Sequence, residues 1–174
     1  MAFYEPDRYF SRISAINIKQ DILGKGFTHV LMDVDNTLLT RDEHTVPHDV
    51  LAWLAQMREM GVEMCLLSNN FHQSVYHIAD QLGLPIVAKA LKPLPQGFFM
   101  ARHKIHGTRK NTLMIGDQLI TDIMGAHLAG MSAYLVCPLV DVDLKHTLFV
   151  RNIENLFIAD KEPEGAQACE TLPS

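Results

Sequence analysis

The chain has 174 residues with a formal net charge of −5 and a pI near 5.9. That length suits one domain with a sizeable core, and the acidic balance argues against a nucleic-acid footprint, which needs a basic face or stripe. The three cysteines, Cys65, Cys137 and Cys169, form no CxxC pair, so neither a disulfide framework nor a zinc site is expected and the implied compartment is reducing.

No run approaches the roughly 18 consecutive apolar residues of a membrane span, and the opening MAFYEPDRYF lacks the charged-then-apolar order of a signal peptide. A cytoplasmic protein is expected, either free or peripheral at a membrane. The nine histidines are scattered and make no HExxH or comparable ligand pattern, so each is given an ordinary role.

Residues 1–27 form an N-terminal segment with scattered apolar positions, Tyr9, Phe10, Ile13, Ile16, Ile18, Ile22 and Leu23. These suggest one or two short helices, packed on the rest of the chain or exposed for a partner, with packing the expected use. From residue 28 onward, short runs of Val, Ile and Leu alternate with stretches of helical period, the pattern of βαβ units and a parallel sheet. The first strand, residues 28–33, opens into VLMDVDNTLL, which sets Asp33 and Asp35 one residue apart at a strand's carboxyl end.

A helix over 47–60 follows, with Pro47 in its first turn, Val50, Leu51, Leu54 and Met57 inward, and Gly61 past its end. A strand over 62–67 runs into SNN, then a helix over 71–82 turns Phe71, Val75, Ile78 and Leu82 inward before Gly83. A short strand over 86–88 precedes ALKP with Lys92. The pattern closes with a helix over 95–106, a strand over 112–115, GDQLITD with Asp117 and Asp122, a helix over 119–129 and a strand over 132–136. The main domain is thus placed at 28–160. Residues 161–174, rich in acids, prolines and small side chains, read as a disordered tail.

Open parallel sheets bind ligands at the carboxyl ends of their strands. Asp33, Ser68, Lys92 and Asp117 each lie at or just after such an end and should meet at one edge. With Asp35 and Asp122 added, the carboxylates there cannot all stay ionised without a counter-charge. A hard divalent cation relieves the repulsion, and Mg²⁺ fits best because it keeps waters and takes one or two carboxylates plus a substrate phosphate. The lack of clustered Cys or His ligands disfavours a softer metal.

A DxD pair alone is common in solvated loops; its company here is not. DVDNT, LLSNN, ALKP and GDQLITD, in that order, resemble the four motifs of the haloacid dehalogenase (HAD) superfamily: DxDx[TV], an apolar strand ending in Ser or Thr, a Lys, and GDxxxxD. The fold this implies is α/β, a three-layer Rossmann-like arrangement around a central parallel sheet. DVDNTLL, SNN, AKALKP and GDQLITD with the PDRY start are similar to the subclass IIIA, YqeG-type phosphatase family, related to the phosphatidylglycerophosphate phosphatases, over about residues 5–155.

The resemblance implies that Asp33 is a nucleophile forming an aspartyl-phosphate. Asp35 would be the general acid and then base, and would offer its backbone carbonyl to the metal. Ser68 would donate to a phosphoryl oxygen and Lys92 would neutralise charge on the nucleophile and the transferring group. Asp117 would bind the metal directly and Asp122 directly or through water, giving a metal set of Asp33, Asp35, Asp117 and Asp122. Asn36 and Thr37 would fix the turn after the nucleophile. Asn69 and Asn70 would cap the helix near Phe71, the default for such residues, or shape the phosphate pocket, so Asn69 joins Ser68 and Lys92 as a substrate-binding candidate. A second basic residue is expected just before Lys92, where Leu91 stands; Lys89 is the candidate to take over part of its role.

Neither the stretch 38–46 nor 69–91 has room for an inserted cap domain. An uncapped site favours a large, exposed or lipid-borne phosphate, or closure by another subunit in a homo-oligomer. Three readings follow: a cytosolic Mg²⁺-dependent phosphomonoesterase, a phosphatidylglycerophosphate phosphatase at the membrane surface, and a non-catalytic HAD-shaped binding protein. The intact Asp33, Asp35, Ser68, Lys92, Asp117 and Asp122 speak against the third.

Overall fold

In the computed structural model, residues 3–39, 45–139 and 162–165 are described. Six strands form one parallel sheet: β1 (Arg8–Phe10), β2 (His29–Met32), β3 (Glu63–Leu67), β4 (Ile86–Val87), β5 (Thr112–Gly116) and β6 (Ser132–Val136). Their order is β1-β6-β5-β2-β3-β4, so β2 lies between β5 and β3, with His29–Met32 aligned against Glu63–Leu66 and Thr112–Ile115.

Strand side chains sort by parity, as a pleated sheet buried on both faces requires. Val30, Met32, Met64, Leu66, Leu113, Ile115, Tyr134 and Val136 share one core with α1 (His48–Glu59) and α2 (Gln73–Leu82). Leu31, Cys65, Leu67, Met114, Ala133 and Leu135 share the other with α3 (Pro95–Lys104) and α4 (Gly125–Leu128). The result is the expected three-layer α/β arrangement. Residues Leu119–Met124 wind as a wide π-type turn that runs directly into α4.

The inward faces of the first two helices differ from expectation. In α1 the buried set is Val50, Trp53, Leu54 and Met57, at helical spacing, whereas Leu51 is 40% exposed. Helix α2 starts at Gln73, so Phe71 precedes it and is 60% exposed instead of inward.

The N-terminal segment departs furthest from its expected helices. Arg8–Phe10 forms an edge strand paired with β6, and the apolar residues after it run through short turns across the sheet face shared with α1. Phe10, Ile13, Ile16, Ile18 and Ile22 are buried, and the indole Nε1 of Trp53 donates to Ile16 O at 2.9 Å. These side chains complete a core, whereas Phe3 and Tyr4 ahead of them are 63% and 41% exposed. Two polar ties hold the segment down. Asp7 accepts from Ala133 N and meets His127, and Arg8 pairs with Asp21 and with Glu164. Apart from residues 162–165, of which Glu164 bridges to Phe10, the expected tail lies outside the described residues, as does Cys169.

Residues 40–47 alone lie between Leu39 and α1, and α2 and β4 fill the chain between β3 and the loop carrying Lys92. Helix α2 and β4 belong to the layers described, so among the described residues there is no inserted cap. No helix among the described residues is long and apolar enough to cross a membrane.

If the N-terminal segment is part of the cooperative core, Ile13→Ala, which empties a fully buried site, should cost about 2–5 kcal/mol in urea unfolding with a single transition. A loss under about 0.5 kcal/mol, the range of ordinary surface substitutions, would show the segment to be peripheral.

Candidate active site

Every strand that contributes to the site does so at its carboxyl end. Asp33 follows β2, Ser68 follows β3, Lys92 lies in the loop after β4, and Asp117 and Asp122 follow β5. Because β5, β2, β3 and β4 are successive parallel neighbours, residues from Asp33 to Asp122 converge on one edge.

Lys92 lies at the centre. Its Nζ donates to Asp33 Oδ1 at 2.5 Å and to Asp122 Oδ1 at 2.6 Å, and all three side chains are buried. Carboxylate oxygens of Asp33, Asp117 and Asp122 lie within 4.8 Å of one another. Three carboxylates and one ammonium leave a formal charge of −2 (−3 + 1), the deficit a single divalent cation would neutralise. Oxygen-only ligands of this kind fit a hard cation such as Mg²⁺.

Glycine makes the packing of this cluster feasible. A Cβ on Gly116 would sit 2.3 Å from Asp122 Oδ2, so the carboxylate folds back over the end of β5 only because that position lacks a side chain. Asp122 Oδ2 there accepts from Gln118 N at 3.1 Å. At Gly97 in α3 a Cβ would sit 2.4 Å from Ala90 O, so the same device lets the helix press against the loop that carries Lys92.

Ser68 is buried and its Oγ accepts from Asn70 N at 3.0 Å, which leaves the hydroxyl proton free to donate. Between Asp33 and Leu39 the chain makes a tight turn with Asn36 in left-handed conformation (φ 63°) and Leu39 N donating to Val34 O at 3.0 Å. Thr37 Oγ1 in that turn reaches Asp117 Oδ1 at 3.5 Å, the long limit of a hydrogen bond. Asp35, partly buried at the head of the turn, stands outside the three-carboxylate cluster.

A family model for haloacid dehalogenase-like hydrolases matches residues 7–130, which contain all of these groups. The chain belongs to that hydrolase family. Across its length it is similar to a Bacillus subtilis (strain 168) protein named "Probable phosphatase YqeG", with 28% identity over 163 residues and 94% of each chain covered. Among solved structures it shares its fold with a HAD phosphatase from Thermococcus onnurineus (TM-score 0.57, 16% identity, 68% of this chain and 90% of that one). The cobalt-bound deoxy-D-mannose-octulosonate 8-phosphate phosphatase from Haemophilus influenzae is another such fold relative (TM-score 0.53, 12% identity, 78% and 89% covered).

Two residues of this hydrolase act elsewhere than their type suggests. Asn69, a default helix cap, turns instead to the main chain of Lys92, accepting from its N at 2.7 Å and donating to its O at 3.0 Å. Asn70 makes the local turn, accepting from His72 N at 2.9 Å ahead of α2. Lys89 is exposed and its ammonium lies 5.9 Å from the Phe71 ring, at the rim and not in the cluster. Leu91, where a base was expected, is 58% exposed and held at φ 57°.

The electrostatics follow from burial and crowding. Burial works against the charge of Lys92, but Asp122 and Asp33 outweigh it and hold its pKa above the ordinary lysine value. One ammonium cannot compensate three carboxylates. Burial raises Asp33 despite Lys92, burial with repulsion from Asp33 and Asp122 raises Asp117 strongly, and burial with Asp33 carries Asp122 to about 6.

A carboxylate whose folded pKa is raised binds its proton more tightly folded than unfolded. Its contribution to stability is therefore present below the unfolded value and lost as pH rises through the folded one. For Asp122 that window runs from its ordinary 3.8 to about 6. The metal-free protein should thus lose stability across that range, and a saturating divalent cation should raise Tm more at pH 8 than at pH 5. Equal shifts at both pH values would detach the cation from this cluster.

Proposed function

We propose that this hydrolase is a Mg²⁺-dependent phosphomonoesterase that works through an aspartyl-phosphate on Asp33. The observation that carries the reading is the buried Lys92 ammonium between Asp33 and Asp122, with Asp117 alongside. A cluster arranged in this way can bind a dianionic phosphoryl group against a carboxylate only if positive charge is supplied on both sides. Lys92 is one source; Mg²⁺, held by Asp33, Asp117 and Asp122, would supply the other and offset charge developing on the phosphoryl oxygens.

The chain's own residues divide the remaining work. A carboxylate oxygen of Asp33 attacks phosphorus, the bond to the leaving alkoxide breaks, and Asp35 delivers a proton to that oxygen. Asp35 then takes a proton from water, which attacks the phosphorus of the aspartyl-phosphate and releases phosphate and free Asp33. Its place outside the Lys92 cluster suits this role, since a proton carrier tied to an ammonium would be a weaker base. Ser68 donates to a phosphoryl oxygen. Asp117 and Asp122 would hold the cation beside Asp33, Asp122 while keeping one oxygen on Lys92 and the other on Gln118 N.

The substrate side is open. Phe71, Leu91 and Leu94 are more than half exposed on the loops after β3 and β4, which flank Lys92. That apolar rim supports a bulky or lipid-borne phosphate over a small metabolite and is the observation favouring the second reading, a phosphatidylglycerophosphate phosphatase reached from the membrane surface. The curated relative's name contributes phosphatase chemistry alone.

Purified protein should hydrolyse p-nitrophenyl phosphate with added Mg²⁺, lose activity on chelation, and be inhibited by Ca²⁺, whose larger coordination shell would misplace Asp33. Asp33→Asn should keep the fold and abolish turnover. Full activity in the chelated enzyme or in Asp33→Asn would sink the reading.

Asp35→Asn should lower kcat on the order of 10²- to 10⁴-fold, the span of general acid–base catalysis. The deficit should be smaller for aryl than for alkyl phosphates, because a good leaving group needs less protonation. Equal losses on both would remove Asp35 from the acid role.

A further inference from the structure

Main-chain pairing of β3 with β4 ends quickly. Leu67 aligns with Val87, Ser68 N donates to Val87 O at 3.0 Å, and Ala90 N donates to Ser68 O at 2.9 Å. The second chain bends on either side of Ala90, with both Lys89 (φ 50°) and Leu91 (φ 57°) in the left-handed region. Lys92 therefore stands past a distorted stretch, where the regular ladder has ended. Asn69 takes the ladder's place. Its amide supplies the same acceptor and donor that a paired strand residue would have presented, at 2.7 Å to Lys92 N and 3.0 Å to Lys92 O.

We infer that Asn69 is the positioning residue of Lys92. It fixes the lysine main chain so that Nζ meets Asp33 and Asp122 together, and it needs no contact with substrate to affect turnover. The inference rests on the proposed role of Lys92 in phosphoryl transfer. A lysine side chain is long and rich in rotamers, so one ammonium reaches two buried carboxylates at 2.5 and 2.6 Å only when the backbone beneath it is held. Helix α3 also closes on this loop, where Gly97 lies against Ala90.

The test uses the full chain with Mg²⁺ and two phosphate esters, p-nitrophenyl phosphate and glycerol 3-phosphate, with orthovanadate as a binding probe. Asn69→Ala should remain folded, with kcat reduced about 10- to 10²-fold, the cost of a slight misplacement of a catalytic group. The reduction should be the same factor for both esters, and orthovanadate inhibition should weaken with it. Asn69→Asp should not rescue, because its carboxylate accepts from Lys92 N but has no N–H for Lys92 O. In a Lys92→Ala background, Asn69→Ala should add little further loss, since a residue acting through Lys92 has nothing left to position.

Unchanged kcat in Asn69→Ala overturns the inference. So does a loss confined to one ester, which would mean direct substrate contact, and this comparison stands even if the Lys92 variant fails to fold. An additive loss in the double variant overturns it as well. Wild-type activity in Lys92→Ala would instead remove the proposed role of Lys92, a result separate from any obtained with Asn69 alone.

Discussion

The ammonium of Lys92, buried between Asp33 and Asp122, is the constraint on which the site depends. Taking a charge out of water costs several kcal/mol unless partners replace the solvent, and removing one partner of such a pair strands the other. Here the lysine and its two partners come from three different strand ends. The ion cluster can exist only if β2, β4 and β5 stop at matching heights, which a parallel sheet in register provides. Gly116 and Gly97 serve the same end, letting Asp122 fold over β5 and α3 close on the lysine loop.

That cluster is deliberately unbalanced in charge. Were it neutral, the packed core beneath would hold it as a structural salt bridge and it would have little use for a cation. With two carboxylates on Lys92 and a third within 4.8 Å, burial raises the pKa of each aspartate, and repulsion from Asp33 adds to it at Asp117 and Asp122. A site in this condition would gain from either protons or a divalent ion, and protons are scarce near neutral pH. In the proposed reaction the same imbalance would keep a nucleophilic carboxylate and an electrophilic environment side by side, a juxtaposition that water would otherwise screen.

Most of the scaffold was legible in the sequence because its signals are local. β2, β3, β5 and β6 are apolar runs ending in distinctive residues, and the helices between them carry a clear period with Gly61 and Gly83 at their ends. The edge strand β1 was not legible: RYF is too short to show alternation, and its partner β6 lies more than a hundred residues away. Phe71 misled because its spacing to Val75 and Ile78 fits a helix that in fact begins two residues later. The carboxylates, Ser68 and Lys92 could be placed at one edge from strand ends alone. The bond from Asn69 to Lys92 could not, since a side chain that replaces a strand's hydrogen bonds has no pattern in one dimension, and its residue type points to capping first.

Reaction and selectivity are separated in this architecture. The floor of the site, Asp33, Lys92, Asp117 and Asp122, is supported by sheet and helices, and in the proposed reaction it would meet the phosphoryl group and its counter-ion alone. Whatever distinguishes one phosphate ester from another would have to touch the rim, which among the described residues consists of the loops after the strands. Phe71, Lys89, Leu91 and Leu94 occupy that position, with Lys89 N tied to Asn70 O and Leu94 N tied to Leu91 O. Exposed Leu91 sits at a left-handed φ, a conformation that costs a non-glycine residue about 1–3 kcal/mol. Binding energy gathered at a distance from phosphorus can lower the barrier only if it is coupled to the reacting atoms. In the proposed reaction the loop that ends in Lys92 would provide that coupling, because Leu91 is the residue next to the lysine that reaches Asp33.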